Sequence, residues 1–241
     1  MSRDRSVRVL VTGFGPFQDI TTNPSWEIAR RLSSSIVGSN GEYLEIIVPP
    51  SATRVAYHKT LKDLPQLLEE HVPDLIVHIG LDVESAPGTF NVERSAPKEG
   101  YHDIPDEERK VFTRLDNRNT FGKASESLVT TLDIDAATEL WQQSCSSLVL
   151  STSAGPPHLG SRLKGKGKLQ RGRPVVVQTS DDVGTYICGF QYYTTMLEMQ
   201  KRTKKRDVVF LHVPQLEGEA QITIGVRVTE ELIKALAAVR V

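Results

Sequence analysis

The regular pattern of the chain begins with the stretch VRVLVTGFGPF, residues 7–17. Residues 7–14 form an apolar, β-branched run, and the glycines and proline that follow interrupt it. A run of this length that stops at glycine and proline predicts a buried strand followed by a tight loop. Asn23 and Pro24 then predict a helix over 24–32, because asparagine caps free N–H groups and proline fits the first helical position.

The alternation of strand and helix continues along the rest of the chain. Apolar patterns predict further strands at 42–48, 75–80, 175–179, 208–213 and 221–228. They predict helices at 53–64, 134–143, 187–201 and 229–239, with Pro65 ending the first of these. Weak periodicity over 82–123 predicts long loops or a hairpin above the strand ends. Strands joined through helices predict an α/β fold with a largely parallel or mixed sheet covered on both faces.

The overall composition is that of an ordinary globular protein. The 241 residues include 29 Lys and Arg against 30 Asp and Glu, with a formal net charge of -1. We therefore expect a single domain over 1–241, and a near-neutral balance excludes a globally basic nucleic-acid binder. No apolar stretch approaches the ~20 residues that span a bilayer. The first residues lack the apolar core of a signal peptide, so we expect a cytoplasmic protein without a membrane partner.

One segment departs from this balance. Between about 156 and 173 the chain carries six basic residues and no acidic one, which predicts a basic surface insertion. An alternative is that this tract binds nucleic acid or an acidic partner, with a steep salt dependence of binding as its sign. A solvated loop is favoured, because the tract lacks the aromatic side chains that stack on bases.

The chain has two cysteines, Cys145 and Cys188, which a reducing compartment would keep as thiols. Cys188 follows the strand at 175–179 and stands beside the start of the helix at 187–201. There, the helix dipole and free N–H groups favour a thiolate and can bind a developing oxyanion. A buried structural cysteine is the alternative. We predict that Cys188 is a nucleophile and that Cys145, which ends a helix, is structural.

A thiol nucleophile needs a base, and six histidines are available. His212 ends the strand at 208–213, where α/β proteins place site residues, and His78 at another strand end is its main competitor. A carboxylate that orients the imidazole would complete the set. Glu93 is a candidate within the loop-rich section, and an exposed ion pair with Arg94 is the alternative. Composition and spacing alone leave both choices open.

Other catalytic and cofactor motifs are incomplete in this chain. Gly13-Phe14-Gly15 follows a strand, but Gln18 stands where a dinucleotide fingerprint has its third glycine, so we reject nucleotide binding. The sequence has no G-x-S-x-G, no H-E-x-x-H and no paired Cys and His spacing for zinc. Serine hydrolase and metalloenzyme interpretations therefore have no motif to start from.

Four segments resemble, in order and across nearly the whole length, the motifs of pyroglutamyl peptidase I, a family of cysteine peptidases that remove N-terminal pyroglutamate. The segments are VLVTGFGPF (9–17) with NPS (23–25), GL (80–81) with ERSA (93–96), residues 180–188 ending in VGTYIC, and FLHVP (210–214). The first of them is highly specific. The resemblance implies a single-domain three-layer α/β/α sandwich with a mixed, largely parallel twisted sheet.

The same resemblance implies a role for individual residues. It makes Cys188 the nucleophile, His212 the base and Glu93 the catalytic glutamate, and it puts the substrate-ring contact in the loop of Phe14 and Phe17. Core packing is the alternative for both phenylalanines. The implied substrate is a small peptide with N-terminal pyroglutamate, with no metal or organic cofactor, and a homo-oligomer is possible. The alternative function is a catalytically impaired homologue that binds pyroglutamyl peptides or a protein partner.

The chain departs from the family pattern beside these residues. It has Val183 where the family has alanine, and Gly189 and Lys98 where the family has asparagine. The family's glycine pair after Gly80-Leu81 is absent. These changes leave the three expected catalytic residues in place and bear on rate and substrate range.

Overall fold

A seven-stranded sheet lies at the centre of the computed structural model, which describes residues 6–151 and 172–240. The strands of the chain are β1 (Val7–Gly13), β2 (Ser35–Val37), β3 (Tyr43–Ile47), β4 (Leu75–Leu81), β5 (Thr89–Glu93), β6 (Ser95–Pro97), β7 (Ser127–Val129), β8 (Val149–Leu150), β9 (Arg173–Pro174), β10 (Val176–Ser180) and β11 (Val208–Val213). The order in the central sheet is β10-β5-β11-β4-β1-β3-β2. Its neighbours run parallel except at β5–β11 and β2–β3, so the sheet is mixed and largely parallel, as predicted.

Helices cover both faces of this sheet. They are α1 (Pro24–Ala29), α2 (Tyr57–His71), α3 (Arg114–Phe121), α4 (Ile134–Cys145), α5 (Ile187–Thr203) and α6 (Gly218–Val239). α1, α4 and α6 contribute to one apolar core, and α2, α3 and α5 contribute to another. Successive strand residues point to opposite faces, so Val9 and Val11 join the first core while Leu10 joins the second. The expected three-layer α/β/α architecture is confirmed.

The opening strand and helix form where the sequence predicts them. The side chain of Asn23 accepts a hydrogen bond from the Ser25 amide at 3.1 Å, and Pro24 occupies the first helical turn of α1. Gly13 is required where β1 leaves the sheet, because a Cβ there would lie 2.4 Å from the Ser25 carbonyl oxygen. The helix ends at Ala29, earlier than the predicted boundary at 32.

The strand predicted at 221–228 is wrong, because α6 runs through it as one helix. Its β-branched residues favour a strand by propensity. The buried positions are Ile222, Gly225 and Val228, which recur every three residues and line the helix face against the core. Tertiary burial therefore overrides the local preference.

The first predicted helix and the predicted loop section also differ from the structure. α2 begins at Tyr57 and continues through Pro65 to His71, so the expected end at Pro65 is wrong. Proline removes one backbone donor but α2 packs on α5, which keeps the helix intact. Residues 82–123 are not only loops, since they contain β5, β6 and α3. β5 is an inner strand of the sheet, and this changes the setting of Glu93.

Part of the sequence predictions falls outside this description. Residues 156–171 of the basic tract lie outside the described residues, so its surface insertion stays a prediction, as does the single-domain boundary at 1–241. Among the helices that the structure does describe, none combines the length and apolar character needed to cross a bilayer.

Candidate active site

Three elements meet at one edge of the sheet and bring Cys188, His212 and Glu93 together. Glu93 is the last residue of β5, His212 lies near the end of β11, and Cys188 is the second residue of α5. β5 and β11 are antiparallel neighbours, with Phe210 opposite Glu93. Glu93 therefore lies opposite the β11 residue that precedes His212 by two positions. Cys188 and His212 follow Glu93 by 95 and 119 positions along the chain, so only the tertiary structure brings Glu93 to them.

The imidazole and the carboxylate form a direct buried contact. His212 Nδ1 and Glu93 Oε1 are 2.8 Å apart, and the residues are 7% and 1% exposed. Burial alone would lower the pKa of His212, but hydrogen bonds to Cys188 and Glu93, and their charges, outweigh it and raise this pKa to about 10. The arrangement therefore favours a protonated imidazole between the Cys188 sulfur and the Glu93 side chain.

The Glu93 contact excludes the alternative of an exposed ion pair with Arg94. Arg94 instead donates to Asp135 and, at 3.1 Å, to Asp181. The main chain of Glu93 is also held, because its carbonyl accepts a hydrogen bond from the buried Tyr192 hydroxyl at 3.0 Å. Glu93 Oε2 has no hydrogen-bond partner among the described residues. The only side-chain hydrogen bond of Glu93 among the described residues is therefore the one between Oε1 and His212.

Cys188 is partly exposed and stands in the first turn of α5. Backbone N–H groups of a first helical turn have no partner within the helix, so they are available to a bound oxyanion. Gly80, the β4 residue opposite His212, makes room for the sulfur. A Cβ at Gly80 would lie 3.0 Å from Cys188 Sγ and 2.7 Å from the Phe210 ring. The sequence signals this glycine by its position near a strand end and by its place in the Gly80-Leu81 segment of the family resemblance.

The other candidate histidine and cysteine lie apart from this cluster. His78 is fully buried in β4 and contacts Thr12, Gln191 and Thr195 rather than Cys188. Burial lowers the pKa of His78 to about 3, so it stays neutral. Cys145 is 1% exposed, and burial raises the pKa of its thiol to about 12. A neutral buried thiol is a poor nucleophile.

A cavity of about 860 Å³ opens beside the sulfur and the imidazole. Residues 81–86 and 182–186 form most of its wall, together with Ile104. Tyr186 is the aromatic residue of this wall, and its ring centroid is 5.8 Å from that of Phe17. Phe17 lines an adjoining cavity that shares Ile104. Phe14 is 3% exposed and packs against Phe210, so its ring belongs to the core.

A polar chain follows the opposite wall of the cavity. Gln178 donates to Asn91, Asn91 donates to Ser85, and Ser85 donates to Asp82. Burial alone would raise the pKa of Asp82, but hydrogen bonds from Ser85 and the Glu84 amide, with the charge of His212, hold it below its usual range. Asn91 is also the β5 residue opposite His212. Sequence reasoning missed this chain and Tyr186, because nothing local connects these positions.

The residues that depart from the family pattern have clear structural settings. Val183 is buried among the side chains of the second core. A Cβ at Gly189 would lie 2.2 Å from the Gly184 carbonyl oxygen, so the turn leaves no room for a larger residue. Lys98 is buried, and its Nζ donates to the Ala124 carbonyl at 3.2 Å and pairs with Glu126. Lys98 therefore anchors the segment before β7 and makes no contact with the Cys188 cluster.

A comparison with protein families finds one family that matches more than half of the chain. The model of the pyroglutamyl peptidase family, Peptidase_C15, matches residues 7–156. The chain belongs to this family. The matched range includes Phe14, Phe17 and Glu93. Cys188 and His212 lie beyond its end.

Similar proteins extend the likeness over most of the chain. A pyrrolidone-carboxylate peptidase of Bacillus cereus (strain G9842) is 28% identical over 216 residues, covering 88% of this chain and 80% of that protein. Pyroglutamyl-peptidase 1 of Homo sapiens is 27% identical over 208 residues, covering 86% and 79%. The crystal structure of pyroglutamyl peptidase I from Bacillus amyloliquefaciens has a TM-score of 0.69 at 20% identity, covering 96% and 97%. At this identity the structural match shows the shared fold.

Proposed function

We propose that this chain is a cysteine-type pyroglutamyl aminopeptidase, which hydrolyses the amide bond after an N-terminal pyroglutamyl residue. The single observation that carries this proposal is the meeting of Cys188, His212 and Glu93 in a member of the pyroglutamyl peptidase family, with the thiol and the imidazole lining one cavity and the carboxylate buried behind the imidazole. A thiol, an imidazole and an orienting carboxylate are the parts that nucleophilic acyl transfer requires.

In the proposed reaction, Cys188 Sγ attacks the carbonyl carbon of the pyroglutamyl bond as a thiolate. The negative charge that develops on the carbonyl oxygen is stabilised by N–H groups of the first turn of α5. His212 gives its proton to the leaving amine, and the C–N bond breaks to leave a thioester on Cys188. Water, deprotonated by His212, then hydrolyses the thioester and releases pyroglutamate. Glu93 holds the ring through Nδ1 and stabilises the imidazolium at each stage.

Recognition of the substrate ring fits the aromatic side of the cavity. Pyroglutamate is a neutral lactam, which needs flat apolar walls and a few hydrogen bonds rather than a carboxylate for an α-amine. Tyr186 provides such a wall in the cavity of Cys188, and the Phe17 ring packs beside it and lines the adjoining cavity. We assign the ring contact to Phe17, whereas Phe14 packs in the core against Phe210.

The remaining features of the proposal follow from this chemistry. The substrate is a small peptide with N-terminal pyroglutamate, and the reaction uses no metal or organic cofactor. A reducing compartment would keep Cys188 as a thiol, which supports a cytoplasmic location. A homo-oligomer, and the lack of nucleic-acid or membrane partners, stay predictions.

The test is release of a fluorophore from a pyroglutamyl amide by the purified protein in fresh reductant. The matched variants are Cys188→Ala and Cys145→Ala, and the control substrate is the corresponding proline amide. We expect turnover that is lost in Cys188→Ala, kept in Cys145→Ala and absent with proline. No turnover by folded wild-type protein that still binds a pyroglutamyl peptide would instead support the impaired homologue.

A further inference from the structure

A buried polar cluster lies directly beneath the helix that carries Cys188. Thr12 Oγ1 is 2.7 Å from His78 Nδ1, Gln191 Nε2 is 3.1 Å from the same nitrogen, and Thr195 Oγ1 is 2.9 Å from His78 Nε2. All four residues are at most 4% exposed. The cluster joins β1 and β4 in the sheet to α5.

The protons of this cluster have one consistent arrangement. Thr195 Oγ1 donates its hydrogen to the Gln191 carbonyl at 2.7 Å, so it accepts from His78 Nε2–H. Because burial keeps His78 neutral, its Nδ1 carries no hydrogen and accepts from Gln191 or Thr12. The imidazole therefore donates to Thr195 on α5 and accepts from Gln191 on α5 or from Thr12 on β1.

These contacts stand next to the nucleophile. Gln191 follows Cys188 by three residues on α5, and Thr195 follows it by seven, so all three share one face of the helix. On β4, Gly80 follows His78 by two residues and therefore shares its face. Gly80 is the residue that lies against Cys188 Sγ. The strand β4 thus binds α5 through the hydrogen bonds of His78, and two residues later its Gly80 lies against the sulfur of Cys188.

Stability alone does not account for this cluster. Gln191 Oε1 has no hydrogen-bond partner among the described residues, although the side chain is buried. An unsatisfied buried oxygen costs stability, and apolar residues of similar size would pack there without that cost. What the polar cluster provides is a unique position of the helix on the sheet, because hydrogen bonds specify distance and direction.

We propose that His78 is a positioning residue, which fixes α5 so that Cys188 Sγ stands against His212. His78 acts through Gln191 and Thr195 and touches neither the substrate nor the reacting atoms. The effect on turnover rests on the function proposed above, whereas the effect on thiol reactivity does not.

The first experiment compares His78→Leu and Gln191→Leu with the double variant that carries both changes. Three quantities are measured: kcat and KM on a pyroglutamyl amide, the rate of Cys188 alkylation by iodoacetamide, and the free energy of unfolding. We expect each single variant to lose about 10- to 100-fold in kcat with little change in KM, because a small displacement of a catalytic group costs that much. Alkylation of Cys188 should slow in parallel.

The double variant separates positioning from plain stability. Replacing Gln191 as well as His78 leaves Thr12 Oγ1 without its two partners but removes the buried amide that has lost its imidazole partner, so the double variant should be no less stable than His78→Leu alone. Its kcat and alkylation rate should stay low. If both rates return to wild-type values together with stability, or if the folded single variants never lose them, the positioning role is wrong.

A pair of threonines gives a milder test if His78→Leu does not fold. Thr195 and Thr229 are both fully buried, and each Oγ1 donates to the carbonyl four residues earlier in its helix, at 2.7 and 2.8 Å. Only Thr195 also meets His78. Thr195→Val should slow alkylation and lower kcat, while Thr229→Val should change only stability. Equal effects of the two changes would overturn the proposal.

The alkylation rate also keeps this proposal distinct from the proposed function. If wild-type protein does not cleave pyroglutamyl amides, but His78→Leu still slows alkylation of Cys188, the positioning role stands and the peptidase assignment fails. If turnover is present and alkylation and kcat are both insensitive to His78, the peptidase assignment stands and the positioning role fails.

Discussion

Replacement of Glu93 by glutamine tests the electrostatic design of the site while keeping the shape of the side chain. In the native protein, a charged oxygen lies 2.8 Å from His212 Nδ1, and both groups are buried. Hydrogen bonds to charged groups contribute about 1.5–3 kcal/mol, so Glu93→Gln should destabilise the protein by roughly that amount. The amide also places an NH₂ group either at Nδ1, where it favours the wrong tautomer, or at the Oε2 position, which has no partner.

The expected kinetic result is a large loss of kcat together with a shift of the alkaline limb of the pH profile. Proton transfer by a positioned side chain contributes ~10²–10⁴-fold, and we expect a loss within this range. The pKa of His212 should fall from about 10, and each unit of that fall removes about 1.4 kcal/mol of preference for the imidazolium. Activity that needs an imidazolium should therefore decline at lower pH than in the wild type.

The His212–Glu93 pair also makes the stability of the folded protein depend on pH in the alkaline range. Because the folded pKa of His212 is raised above its ordinary value of 6.5, its stabilising effect is complete below about pH 6.5 and is lost as the pH rises through about 10. Glu93→Gln should reduce this alkaline loss. The assays are kcat against pH on a pyroglutamyl amide and thermal unfolding against pH, with Glu219→Gln, an exposed partner of Arg31, as the matched control. An unchanged alkaline limb in folded Glu93→Gln would refute the reasoning.

Other changes address the space around the nucleophile and the substrate ring. Gly80→Ala should lower the stability of the protein and remove most of its turnover, because the added Cβ would meet Cys188 Sγ and the Phe210 ring. The measurements are steady-state kinetics and thermal melting, and a variant as stable and active as the wild type would contradict this prediction. Gly189→Asn, which restores the family residue, should destabilise rather than activate, since a Cβ there lies 2.2 Å from a carbonyl oxygen; a more active, equally stable variant would contradict this. Phe17→Ala should raise KM more than it lowers kcat, and steady-state kinetics that show kcat alone affected would remove Phe17 from the ring contact.

Much of the site was predictable from local sequence. Cys188 stands out by its place between a strand and a helix, and His212 by its place at a strand end. The choice of His212 over His78 was not predictable from the residues alone, because the sequence predicts both at the ends of buried strands. In the structure only His212 lies near a strand end, whereas His78 lies in the middle of β4, so its predicted position is wrong. The structure separates them through the neighbours that each imidazole meets. Glu93 was expected in a loop, and only the insertion of β5 between β10 and β11 explains how its carboxylate reaches His212.

The sequence by itself nominated Cys188, His212 and Glu93 as candidates, and it determined the α/β class and the opening strand with its capped helix. Those features depend on short-range properties: apolar periodicity, glycine and proline positions, and helix capping. Tertiary structure decided which distant residues meet, that residues 221–228 are helical, and that Gly80 and Gly189 occupy spaces where no side chain fits. These outcomes arise from packing between elements far apart in sequence, and no local pattern encodes the distance between two such elements.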